Sequence, residues 1–185
     1  MMTEISLNVL DVAENSIRAN ADFIQISVTV NSLQDRLTIV ITDNGCGMTA
    51  EQIAHVEDPF FTTRTTRSVG LGVSFFKYAA EITGGEFSII SEPGKGTVVT
   101  AVFVLSHIDR MPLGDMTCTM HTLIIFNTNI DFLYSYIVDD NSFTLNTREF
   151  REILGNVSFN MPEVSTYIKE YLQENEYEVN NGRHI

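Results

Sequence analysis

The chain has 185 residues, 44% of them hydrophobic and 19% charged, a composition that excludes a disordered chain and leaves room for one domain plus a smaller region. Asp and Glu outnumber Lys and Arg by 24 to 11, and a net charge of −13 with no local basic stripe argues against a nucleic-acid partner. Cys46 and Cys118 are too few for a disulfide framework and no cluster stands at metal-ligand spacing, so a reduced, cytoplasmic setting is expected. The N-terminus carries acids early, which is not the pattern of a signal peptide, and no apolar run approaches the ~20 residues that span a bilayer. No membrane partner is therefore expected.

In chain order, Thr3 to Asn20 reads as an amphipathic helix. Leu7, Leu10, Ala13 and Ile17 form its apolar stripe, extended by Ala21, while Asn8, Asp11, Asn15 and Arg18 share a second, polar face. Alternation in Phe23 to Val30 and in Leu37 to Thr42 predicts two strands, joined by the polar stretch 31–36. Asp43-Asn44-Gly45-Cys46-Gly47 is a loop signal, after which Thr49 and Gln52 make a capping-box pattern that opens a short helix. Residues 58–69 show no period and read as a loop. A helix from Leu71 to Thr83 stops at Gly84-Gly85, and two strands, Glu86 to Ser91 and Thr97 to Leu105, flank the turn 93–96.

Beyond Ser106 a connector with Pro112 and Gly114 leads to a helix from Asp115 to Phe126. A hairpin through 132–138 and 142–145 and two further helices follow, the first capped by Thr147 and ended by Gly155, the second opening at Pro162. Ile124, Ile125, Phe132, Ile153, Leu154 and Ile168 are the expected inner residues of this region, and the polar tail from Glu174 to Ile185 is expected to fray. The order of elements predicts an α+β fold. It would be a two-layer sandwich with helices on one face of a mixed β-sheet over residues 1–106, with a small α+β C-terminal appendage over 107–185.

Three pieces carry chemistry. Asp11, Asn15 and Arg18 lie on one helical face, Asp43 to Met48 form the strand-end loop DNGCGM, and Val69 to Ser74, VGLGVS, places Gly70 and Gly72 at a helix start. Glycines there let backbone N–H groups approach phosphate oxygens. An asparagine amide oxygen can ligate Mg²⁺, and an Asp at a strand end can accept from an adenine amino group. Singly, each is more often a plain turn or a solvated face. VGLGVS lacks the third glycine and the preceding strand of a dinucleotide fingerprint.

In order and spacing together, the three resemble the superfamily of ATPases and kinases that unites gyrase, its heat-shock chaperone, histidine kinases and the mismatch-repair MutL proteins. ENSIRANA is similar to its N-box, ITDNGCGM to its first glycine box and VGLGVS to its second. DPFFTTR resembles the phenylalanine box of histidine kinases, and GGEFSIISEPGKGTVVTAVF their closing strands. The resemblance runs from Thr3 to Leu105 and implies the Bergerat-type ATP-binding fold with ATP and Mg²⁺ as its ligands. It implies that Asn15 coordinates Mg²⁺, that Asp43 bonds the adenine amino group with Gly45, Gly47 and Met48 in the loop beside the base, and that Thr97 touches the adenine side. Arg18 stands where histidine kinases carry a phosphate-contacting Lys, and Gly70, Leu71 and Gly72 would offer backbone contacts to the phosphates. Residues 60–69 would form a short ATP lid, with Thr62, Thr63, Arg64 and Arg67 as candidate phosphate contacts or as plain exposed residues.

Two departures bear on activity. Hydrolysing members carry Glu four residues before the metal Asn, and here that position is Asp11, one methylene shorter, so Asp11 is either the general base or pocket lining. The helical hairpin bearing the phosphoacceptor His of histidine kinases is not seen ahead of the N-box helix. Of the four His, only His121 falls on a predicted helix, where a packed residue is the expected role. The resemblance thus implies a protein kinase acting in trans on a regulator in signal transduction, or a weak ATPase. The alternative is a nucleotide-gated binding module without useful turnover. Another protein is the expected partner under either reading, and a homodimer is compatible with both.

Overall fold

The structure is a computed structural model that describes residues 3–57, 72–155, 157–183 and 185. Its centre is a six-stranded mixed sheet. The strands are β1 (Phe23–Asn31), β2 (Arg36–Asp43), β3 (Glu86–Glu92), β4 (Gly96–Val104), β5 (Asp131–Val138) and β6 (Asn141–Asn146), in the spatial order β3-β4-β2-β1-β5-β6. All neighbours are antiparallel except β1 and β5, which run parallel with Ile24 opposite Phe132 and Ile26 opposite Tyr134. The α+β class and mixed sheet expected from the element order are what the chain adopts.

Strict alternation makes one face of this sheet apolar, with Ile24, Ile26, Val28, Leu37, Ile39 and Phe132 fully buried. The opposite face carries half-exposed Gln25, Ser27, Thr29, Thr38 and Thr100. Helices α1 (Ile5–Arg18), α2 (Ala50–Glu57), α3 (Gly72–Glu81), α4 (Met116–Phe126), α5 (Thr147–Leu154) and α6 (Pro162–Asn180) complete the fold. Of these, α1, α3, α4 and α6 bring buried side chains into one core with the apolar sheet face. The C-terminal hairpin thus extends the same sheet, and its aromatic residues join the same core. The loop before α4 is also built in, because the carbonyls of Pro112 and Leu113 accept from the backbone N–H groups of Ile5 and Ser6 in the first turn of α1.

Local signals act as expected at several ends. Thr49 and Gln52 make a reciprocal capping box, with the Thr49 N–H donating to Gln52 Oε1 at 2.8 Å and the Gln52 N–H donating to Thr49 Oγ1 at 3.3 Å. Pro162 occupies the first turn of α6, and Gly155 ends α5.

Other expectations are overturned. The buried arc of α1 is Ile5, Val9, Val12, Ala13 and Ser16, while Leu7 is 40% exposed and Leu10 and Ile17 are only partly buried. The helix packs on the sheet and between α3 and α4, so its neighbours, and not its most hydrophobic stripe, choose the buried side. The polar face is divided likewise: Asn8 is fully buried and Arg18 is exposed. Thr147 does not cap α5. Asn146 does, accepting from the Arg148 N–H, and Thr147 Oγ1 instead accepts from the Phe132 N–H at 2.8 Å. Ile153, expected inside, is 83% exposed. The tail does not fray from Glu174, since α6 continues to Asn180 with Val179 buried, and the Ile185 carbonyl accepts from the Leu113 N–H.

A buried polar cluster ties α6 down. The Glu176 carboxylate accepts from Thr117 Oγ1 and from Tyr134 Oη, both at 3.0 Å, and Tyr136 Oη donates to Asn180. Burial, helped by the neighbouring Asp115 carboxylate, pushes Glu176 up to about 7 despite the two hydroxyl donors. A carboxyl whose folded pKa lies above its unfolded value stabilises the fold most at low pH. That contribution is lost as pH rises from the ordinary glutamate range through about 7. Glu176→Gln keeps a neutral hydrogen-bonding group, so it should leave stability near pH 4.5 almost unchanged and raise it by about 3 kcal/mol at pH 8. Denaturant melts of both proteins at the two pH values measure this, and an equal effect at both would contradict it.

Candidate functional site

A cavity of about 390 Å³ opens between α1, α2, the start of α3 and the ends of β2, β3 and β4. Its walls are apolar, from Val12, Val56, Val73, Ile89 and Val99, and its polar groups come from Asn15, Ser16, Arg18, Asp43, Gln52 and Thr97. This pairing of apolar walls with a few convergent polar groups suits a small ligand with an apolar body and a polar end.

Asp43 sits at the end of β2 and is buried. Its Oδ1 accepts from the Gly45 N–H at 2.9 Å and its Oδ2 from Ser16 Oγ at 2.7 Å. Ser16 lies on the same helix as Asn15, so α1 orients the carboxylate from above while the loop orients it from below. Asn44 secures that loop to the start of β1, accepting from the Asp22 and Phe23 N–H groups at 3.0 Å each.

Gly47 has φ of +65°, and any side chain there would collide with the Glu92 carbonyl. Only glycine lets the loop turn left-handed while lying against the β3–β4 hairpin. Two further contacts bind loop to hairpin: the Gly94 N–H donates to the Cys46 carbonyl at 2.7 Å, and the Met48 N–H donates to Ser91 Oγ at 2.8 Å. Thr97 is the direct cross-strand partner of Asp43, which places its side chain on the same cavity wall.

Of the residues singled out in the sequence, Asn15, Arg18, Asp43, Gly47, Met48 and Thr97 line this one cavity. Gly45 stands beneath Asp43 as its backbone donor. Asp11 and Gly72 are not in the cavity lining but meet each other, since a side chain at Gly72 would run into the Asp11 carboxylate. Their chain neighbours Val12 and Val73 do line it. Arg64, Gly70 and Leu71, with Thr62, Thr63, Arg67 and the rest of the 60–69 segment, lie outside the described residues. Arg18 Nη1 reaches Asn15 Oδ1 at 3.5 Å, a long contact at an exposed mouth.

Nothing in the sequence singles out Ser16 or Ser91, because a serine is compatible with any helix or strand and their partners are 27 and 43 residues away. His55 belongs to the short helix α2. His121 lies on α4 as expected, and its Nε2 is within 2.9 Å of Ser165 Oγ and 3.1 Å of the Ser165 carbonyl. Burial holds its pKa below the usual histidine range. It serves as a packing contact between α4 and α6.

Residues 3–107 match the family described as histidine kinase-, DNA gyrase B- and HSP90-like ATPase. The chain belongs to that family. Among the relatives of this chain, sporulation kinase E of Bacillus subtilis is 36% identical over 52% of the chain and 13% of the relative. The sensor protein kinase FleS of Pseudomonas aeruginosa is also 36% identical, over 52% of the chain and 24% of the relative. The sensor histidine kinase ZraS of Escherichia coli is 32% identical over 54% of the chain and 20% of the relative. The chain thus spans a quarter or less of the length of these kinases. The N-terminal domain of a DNA repair protein superposes with a TM-score of 0.53 at 18% identity, covering 78% of this chain and 52% of that one. At that identity the likeness concerns the fold. Among the described residues no helix is long and apolar enough to cross a membrane, and no three His, Cys, Asp or Glu side chains gather as a metal site.

Proposed function

We propose that this ATPase-family chain binds ATP with Mg²⁺ in the α1–β2–β4 cavity and passes the γ-phosphoryl group to an acceptor on another protein, with slow hydrolysis as a side reaction. The observation that carries the proposal is the buried Asp43 carboxylate at the cavity wall, held by a hydroxyl and a backbone N–H and facing an apolar slot. A buried carboxylate calls for a donor, and the exocyclic amine of adenine supplies one. Val12, Val73, Ile89 and Val99 would then cover the two faces of the base.

The polar end of the cavity suits the phosphates. Arg18 is an exposed cation at the mouth, and among the described residues the Asn15 amide oxygen is tied only by its long contact with Arg18. That oxygen fits Mg²⁺, which accepts one or two protein ligands and otherwise keeps waters and phosphate oxygens. When bound, the ion would neutralise charge developing on the transferred group. Asn15 would orient the phosphates, Asp43 would fix the base, and the apolar walls would exclude water. Positioning of this kind supplies most of the rate in phosphoryl transfer. Asp11 packs against Gly72, the glycine expected to meet the phosphates at the start of α3.

The test follows the γ-phosphate of labelled ATP in the presence of Mg²⁺. The purified chain should release label as free phosphate slowly, or move it to an added acceptor protein, and Asn15→Ala should lower that rate at least about a hundredfold. ATP bound tightly with no label moved, even with candidate acceptors present, would replace this reading with a nucleotide-gated module.

A further inference from the structure

Ser91 Oγ is met by three atoms at hydrogen-bond distance. The Met48 N–H lies at 2.8 Å, the Gly96 carbonyl at 2.9 Å and Thr97 Oγ1 at 2.9 Å. A hydroxyl has one proton and two acceptor positions. The Met48 N–H can only donate and the Gly96 carbonyl can only accept, whereas Thr97 can do either. All three contacts are satisfied together in one arrangement: Ser91 donates to Gly96 and accepts from Met48 and from Thr97. Half-buried polar groups strongly favour such full pairing. The single Thr97 proton is thereby turned onto Ser91, and the oxygen keeps only lone pairs for the cavity it lines.

The neighbouring group is of the same kind. Asp43, directly across from Thr97, already receives the Gly45 N–H and the Ser16 hydroxyl, and offers further acceptor capacity only. Two adjacent acceptors make a wall that welcomes a purine 6-amino group and has no donor for a 6-oxo group.

We infer that Ser91 is a positioning residue for base selection, acting by forcing Thr97 to accept. The inference rests on the nucleotide reading above and extends it to a side chain that itself need not touch the ligand. Removing Ser91 frees the Thr97 hydroxyl to rotate and donate to a 6-oxo base, so selectivity should relax even where the loop holds. A purely structural Ser91, by contrast, would weaken every nucleotide alike when lost.

The experiment compares the Kd of ADP with that of IDP, whose base carries 6-oxo and N1–H in place of 6-amino and a bare N1. The wild-type chain should prefer ADP clearly. Ser91→Ala should narrow the ADP-to-IDP preference by about tenfold, the worth of one gained hydrogen bond. Adding Thr97→Val in that background should remove the gained IDP affinity and bring the preference to that of Thr97→Val alone, because the freed donor is gone. Thr97→Val alone leaves the Ser91 contacts with Met48 and Gly96 in place and should weaken ADP several-fold while leaving IDP unchanged, so the inference stays testable where Ser91→Ala does not fold. Equal losses for both nucleotides in Ser91→Ala, or a gain in IDP affinity that persists in the double variant, would overturn it. A wild-type chain that binds ADP and IDP equally would overturn it as well, while one that binds neither would remove the nucleotide reading itself.

Discussion

Asp43→Asn should reduce ATP and ADP affinity by at least about a hundredfold while leaving the folded state nearly as stable as before. The asparagine oxygen can still accept from the Gly45 N–H, and the Ser16 hydroxyl can turn to accept from the new amide or to donate to the Val12 carbonyl, which lies 3.4 Å away. The local hydrogen bonds therefore survive. What changes is the face offered to the cavity, where an amide N–H would oppose the amino hydrogens of adenine. Two donors face to face in a slot walled by Val73, Ile89 and Val99 have no water to separate them, and sites built around such a bond reject the mismatched partner by large factors. Isothermal titration with ADP, alongside a thermal melt, separates the two effects. Retained affinity would show that the base does not sit on Asp43, and a collapsed melt would show that the carboxylate is structural.

The second large effect is expected at Gly47. Gly47→Ala should lower stability by about 3 kcal/mol or more and abolish nucleotide binding, because φ of +65° is unfavourable for alanine and the new methyl group would overlap the Glu92 carbonyl. Relief requires the loop to swing off the hairpin, breaking the Cys46–Gly94 and Met48–Ser91 hydrogen bonds that hold one wall of the cavity. Gly94→Ala is the informative control. Gly94 also has a positive φ, of +78°, but open space around it, so that variant should lose only about 1 kcal/mol and keep its ligand. Denaturant titration and ADP binding on both variants distinguish close approach from backbone conformation. Equal behaviour of the two would mean that the packing of loop on hairpin is unimportant to the site.

Much of the site is legible in the spacing of the motifs. Asn15, Asp43, Gly47 and Thr97 come from three separate stretches of sequence and line one cavity, because the ends of β2 and β4 are paired in register and α1 lies over them. The serines that orient the site carry no such signal. Ser16 acts on Asp43 across the packed layers, and Ser91 on Met48 in the adjoining loop and on its cross-strand partner Thr97, and neither has a local pattern that singles it out. The placement of Asp11 against Gly72 likewise depends on the tertiary arrangement.

Near neighbours along the chain suffice for one set of features. The alternation of β1 and β2, the Thr49–Gln52 capping box, the end of α5 at Gly155, the start of α6 at Pro162 and the family motifs all rest on a few adjacent residues. Another set is settled by contacts between distant segments: which arc of α1 is buried, that Ile153 faces solvent, that α6 persists to Asn180, and that β5 joins β1 in parallel to extend the sheet. A hydrophobic stripe states only that a face must be covered, whereas the packing of the whole core selects the partner that covers it.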